Sequence, residues 1–211
     1  MANKTGFTLV ELMVSTGILT VVAVLSFIAL SSSYSAESVI EAQTSLQTEL
    51  RGVLSTMAQE LELAYAPPRP GDETTAPQGV APIQVDSVSK SITFYKPAPA
   101  NVLTGYEWQG PITYSFQNED ANGNNILDPG EDTNGDGVLT RRIVRTFQSQ
   151  TVPVGAANSL SNVSFALLES SNPTDDRRLR LEITLEANRW VGPGQRSLAK
   201  QRVQTQIRLL N

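Results

Sequence analysis

The side chains best suited to chemistry lie between Glu119 and Leu139. From Glu119 to Asp136 there are six carboxylates and no base. That density repels itself unless a cation is present. Asp120, Asn122, Asn124, Asp128 and Glu131 fall at positions 1, 3, 5, 9 and 12 of an EF-hand calcium loop, with Leu127 at the apolar position 8. Asp132, Asn134 and Asp136, followed by Gly137 and Leu139, begin a second half-pattern. Both copies depart from the pattern. Asn125 stands where glycine is usual, although asparagine tolerates the same left-handed backbone. Ile143 stands where the second copy needs its bidentate glutamate. An all-oxygen donor set suits Ca²⁺ better than a transition metal. The spacing predicts a structural Ca²⁺ at the tip of a long hairpin, held by these eight residues. The alternative is an ion-free polar turn built on Asn-Gly and Asp-Gly.

The remaining composition excludes a good deal. There is no histidine and no cysteine. Ser-His-Asp and Cys-His catalysis, histidine zinc sites and disulfides are therefore out of reach. No phosphate-binding glycine loop appears, and no spacing singles out a catalytic pair of carboxylates, lysines or tyrosines. The expectation is a protein that is not an enzyme.

A second constellation sits at the N-terminus. Gly6-Phe7-Thr8-Leu9-Val10-Glu11 follows a start with one charge, Lys4, and opens an apolar run without charge from Leu12 to Ala36. The run from Leu12 to Leu30 is long enough to span a bilayer. Its polar members, Ser15, Thr16, Gly17, Thr20 and Ser26, are small and allow close helix contact. A carboxylate at the mouth of such a run is costly and is usually functional. Neither a conventional secretory signal cut near Ala36 nor a plain signal anchor explains Glu11.

The stretch GFTLVELMVS resembles the prepilin signature of the type IV pilin and type II secretion pseudopilin superfamily. The resemblance implies cleavage after Gly6 by prepilin peptidase and N-methylation of Phe7. It also implies assembly through Glu11, whose carboxylate would pair with the Phe7 amine of a neighbouring subunit. Implied partners are other pilin or pseudopilin subunits, the peptidase and an inner-membrane assembly platform. The implied location is the bacterial inner membrane, then a periplasmic pseudopilus or a surface pilus. Many pilins carry a proline in the apolar helix and a C-terminal disulfide. This chain has neither, and the missing proline fits a minor subunit that initiates or caps a filament. The alternative is a pilus-borne surface-binding protein, an adhesin or a DNA-uptake receptor.

Charge is unevenly placed. Fifteen acidic and four basic residues lie from Glu37 to Thr140, against five acidic and eleven basic from Arg141 to Asn211. The net charge of −5 argues against a general nucleic-acid binder. A solvated surface accounts for the asymmetry, and head-to-tail attraction between stacked subunits is a second possibility.

These sites need elements to position them. No proline occurs from Phe7 to Ala66. After Ser33, Val39, Ile40, Leu46, Leu50, Val53, Leu54, Met57, Leu61 and Ala64 recur at three- and four-residue steps. The pattern predicts one helix from Phe7 to Tyr65, about 90 Å long at 1.5 Å per residue. Residues 1–6 form a leader, 7–36 a membrane or filament-core half and 37–66 an amphipathic half. Pro67, Pro68 and Pro70 would end it. Residues 67–211 then read as a periplasmic or extracellular β domain. Its expected strands are Ile83–Val88, Ser91–Lys96, Ile112–Phe116, Val138–Phe147, Asn162–Leu168, Leu179–Ala187 and Ala199–Leu209. One long helix followed by strands alone indicates α+β, with the helix covering an antiparallel sheet, a layout that is pilin-like by the resemblance. The order of segments, from Met57-Ala-Gln-Glu60-Leu61 through ITYSF, the acidic insert and LTRRIVR to the Arg-rich end, resembles the minor pseudopilin J and W-type minor pilin group. Lesser signals have ordinary readings. The sequon at Asn162 reads as a strand start, Tyr106, Trp108 and Trp190 as core aromatics rather than the surface patch they could also form, and Arg177, Arg178 and Arg180 as edge-strand charges.

Overall fold

The computed structural model describes residues 8–65, 79–98, 107–124, 126–133, 135, 137–168, 180–191 and 197–209. Gly6, Phe7, the proline stop at 67–70, Tyr106, Asn125, Asn134, Asp136, Arg177 and Arg178 lie outside these residues.

Helix α1 runs Leu9–Leu61 as one uninterrupted element. Its first half is exposed along its whole apolar surface, and an 18-residue window reaches a mean hydropathy of 2.3. By length and composition it can cross a membrane. The second half buries a stripe made of Ala42, Leu46, Leu50, Val53, Leu54, Met57 and Leu61. The stripe follows the three- and four-residue steps, with one departure. Ile40 is 62 % exposed, because it lies about half a turn from Ala42, on the opposite face of the helix, whereas Val39 is half-buried.

The helix ends before the prolines. Ala64 donates back to the Leu61 carbonyl at 3.0 Å in a tight final turn. Tyr65 N–H then bonds the Tyr95 carbonyl at 2.8 Å, and Ile83 N–H bonds the Tyr65 carbonyl at 2.8 Å. Backbone partners elsewhere in the fold take over from the helix ladder at this point.

The strands form two sheets where the periodicity suggested one. β1 (Gln84–Asp86), β2 (Ser91–Pro97), β3 (Trp108–Asn118), β4 (Arg141–Phe147) and β5 (Gln150–Pro153) make an antiparallel meander in chain order. β6 (Leu160–Leu168), β7 (Arg180–Val191) and β8 (Ser197–Arg208) make a second antiparallel meander. β5 was not expected. It follows a two-residue turn in which Gln148 and Ser149 take positive φ of 48° and 65°, a job usually signalled by Asn or Gly. β4 starts at Arg141 rather than Val138, because Thr140 N–H is bonded to the Glu119 carboxylate at 3.0 Å.

Sheet two carries most of the helix contact, through β7 and β8. Leu181, Ile183 and Leu185 alternate inward from β7 and are fully buried. Phe94 and Tyr114 from sheet one stack at 5.6 Å and join the same core. Each fully buried side chain of this size contributes about 1.5–3 kcal/mol of transfer free energy. The connection from β5 to β6 presses against the helix. Gly155 sits at φ +71°, and a Cβ there would lie 3.0 Å from Val53 Cγ2. A side chain at that position would push the segment off α1.

β7 is the central strand of its sheet, flanked by β6 and β8. Arg180 therefore does not guard an edge. Asn162 lies in β6, and its Oδ1 accepts a hydrogen bond from Lys90 Nζ at 2.7 Å. Trp108 packs edge-on against Tyr65 at 5.2 Å, whereas Trp190 is 38 % exposed on the other sheet. The two tryptophans thus form no common patch, and Trp190 is not a core residue.

Candidate functional site

At the start of α1, Thr8 is the N-cap in extended conformation. Thr8 N–H and Thr8 Oγ1 both donate to Glu11 Oε2 at 2.9 Å, and Glu11 N–H donates to Thr8 Oγ1 at 3.3 Å. This reciprocal box satisfies orphan amides of the first turn and places a carboxylate against the positive end of the helix. Thr16 Oγ1 donates to the Leu12 carbonyl and Thr20 Oγ1 to the Thr16 carbonyl, each at 2.8 Å, and Ser15 bonds the Glu11 carbonyl. These hydroxyls are satisfied inside the helix, so they add little cost in an apolar medium. Glu11 is the one carboxylate on an otherwise uncharged, exposed apolar surface that extends to Ala36.

The acidic loop joins β3 to β4 and is folded by its own side chains. Asn122 Nδ2 and Asn124 Nδ2 donate to Asp128 Oδ2 at 2.7 and 2.8 Å. Glu131 accepts from Ala121 N–H at 3.1 Å and from Asp128 N–H at 3.0 Å. Positions 3, 5, 9 and 12 of the loop pattern are thereby gathered within a few residues of one another. Position 1 is not with them. Asp120 is buried, and its Oδ2 accepts from Arg141 Nη1 at 3.2 Å. Arg141 also donates to Asn188 Oδ1 at 3.1 Å, which ties the loop root to β7. Asp132 turns to Gly135 N–H at 2.7 Å and Gly137 N–H at 3.0 Å, forming its own turn. Among the described residues, no three acidic side chains converge closely enough to hold a metal. The donors are nevertheless hard oxygens and amides, and an Asn amide that presents nitrogen presents oxygen after a half-turn. Asn122, Asn124, Asp128 and Glu131 fit a calcium-type donor set, while Asp120 is engaged by a cation from the chain itself.

A third cluster was not legible as a site. Glu60 leaves the α1 stripe toward sheet one and meets three donors from three strands. Arg145 Nε reaches its Oε2 and Arg145 Nη2 its Oε1, each at 2.8 Å. Tyr114 Oη donates to Oε2 at 2.5 Å, and Lys96 Nζ bonds Oε1. The Glu60 side chain is 15 % exposed. Burial alone would raise its pKa, but the hydrogen bonds from Arg145, Lys96 and Tyr114, with the Lys96 charge, pull it from 4.5 to about 2. Burial and the same carboxylate push the Tyr114 phenol up, and hydrogen bonding to Glu60 raises Arg145. Both oxygens of Glu60 are fully used, so the cluster is a clasp between helix and sheet. The only signal in the sequence was an acid flanked by the buried Met57 and Leu61.

The family model described as a prokaryotic N-terminal methylation motif matches residues 1–27. It supports a type IV pilin-like or pseudopilin protein processed by prepilin peptidase and assembling with other pilin subunits. The match suggests a structural subunit rather than an enzyme, and with the apolar helix it fits a membrane-anchored pilin. No curated protein and no solved structure matches the chain significantly.

Proposed function

We propose that this chain is a minor pilin or pseudopilin subunit that helps to initiate or cap a type IV pilus or a type II secretion pseudopilus. The observation that carries the reading is the methylation motif over residues 1–27, set on a helix whose first half is apolar, exposed and charged only at Glu11. Cleavage after Gly6 leaves Phe7 as an N-methylated terminus. The helix rests in the inner membrane until an assembly platform moves it into a filament. There, in a dry bundle, Glu11 exchanges its Thr8 cap for the Phe7 amine of an adjacent subunit, because a buried carboxylate needs a cation. That pairing also sets the axial register. The β domain then faces the periplasm or the cell exterior.

The acidic loop is proposed to take one structural Ca²⁺ on Asn122, Asn124, Asp128 and Glu131. The clustering of these groups on Asp128 supports this choice. Asp120 is left out of this set because its Oδ2 accepts from Arg141. A second ion on Asp132, Asn134 and Asp136 is less favoured, since Asp132 already caps two backbone amides. The assembly reading is tested with Glu11→Ala in the native host. The variant should insert into the membrane normally yet enter filaments poorly. Normal incorporation contradicts the proposal.

A further inference from the structure

The second sheet ends in a strand that is paired on one side. β8 spans 12 residues and is last in the order β6-β7-β8. It keeps register with β7 from Arg180↔Arg208 to Val191↔Ser197 without a bulge. Among the described residues its backbone bonds no strand but β7. Edges are usually blunted by shortness, a proline, a bulge or charge. β8 has only the last, in the form of Lys200, Arg202 and Arg208 with no acid.

Those three cations, with Gln204 and Gln206, are exposed and share the face turned away from the buried Ala199 and Ile207. Arg202 has Glu186 at 3.6 Å. Lys200 and Arg208 have no carboxylate partner among the described residues. Arg208 stands directly opposite Arg180, a like-charge cross-strand pair that is unfavourable as it stands. A strand added beside β8 would satisfy the open row of backbone N–H and C=O groups. If it carried carboxylates on the outward face, it would also neutralise Lys200 and Arg208. A second copy of β8 is a poor occupant, since antiparallel pairing about Gln204 sets Lys200 against Arg208.

We propose that the free edge of β8 is a strand-addition site for an extended, carboxylate-bearing segment of a partner protein. The test is hydrogen exchange on the full chain in detergent micelles. The probes are a synthetic peptide alternating glutamate with valine and its lysine–valine counterpart. The outward amides of β8 should exchange quickly alone and slow at least tenfold with the glutamate peptide only. Lys200→Glu combined with Arg208→Glu should reverse the preference while protection in β6 and β7 stays unchanged. The proposal is overturned if neither peptide protects β8 or if both protect it equally. It is overturned as well if β8 is already protected in the chain alone, either at every protein concentration (its own chain covers the edge) or only at high concentration (a second copy does).

Discussion

Replacing Glu60 by glutamine tests how the helix is fastened to sheet one. The side chain keeps its shape but loses its charge, which leaves Arg145 and Lys96 without a counter-ion and turns an amide N–H₂ toward them. The size of the effect comes from two directions. A carboxyl drawn from 4.5 to about 2 corresponds to about 3 kcal/mol of favourable interaction. Removing one partner of a buried pair costs about 3–5 kcal/mol, and the 15 % exposure of Glu60 favours the lower end. For a chain of this size that loss lowers Tm by roughly 6–12 °C. The assay is thermal unfolding of the full chain in detergent, read by the near-ultraviolet signal of Tyr114, Tyr65 and Trp108. The pH dependence carries the sign. The native carboxyl titrates below its unfolded value, so the stabilisation is complete above about pH 4.5 and is lost as pH falls toward about 2. Glu60→Gln should lack that component of acid destabilisation. An unchanged Tm at neutral pH, or an identical acid profile in the variant, would refute the clasp.

Three further outcomes follow from the packing and the loop. Leu50→Ala removes a fully buried stripe residue of the core and should cost about 2–5 kcal/mol, measured by denaturant unfolding. Asp128→Asn should abolish any calcium-dependent protection of residues 121–131 in hydrogen exchange while leaving protection of β6–β8 intact. The same loop should lose protection when a chelator is added to the unmodified chain.

The helix was legible because its two halves advertise themselves differently, one by an unbroken apolar run and one by three- and four-residue steps. Leu181, Ile183 and Leu185 were legible through strict alternation. The division into two sheets was not, since alternation reports that a strand has an inner face but not which neighbour it pairs with. β5 escaped because Gln148 and Ser149 hold a turn conformation usually signalled by Asn or Gly. Lys96, Tyr114 and Arg145 lie 36 to 85 residues beyond Glu60, so only the folded chain brings them to it. The acidic loop shows both limits. Asn122, Asn124 and Glu131 hydrogen-bond with Asp128 inside the loop, while Arg141, just past it, engages Asp120, a partner that no spacing announces.

The central claim is that this chain is a processed filament subunit. It is tested most directly by the intact mass and N-terminal sequence of the mature protein from its native host. The account predicts a chain that begins at Phe7 with a methylated amine. A chain that begins at Met1, or near Ala36, would contradict it and remove the Glu11 pairing along with it.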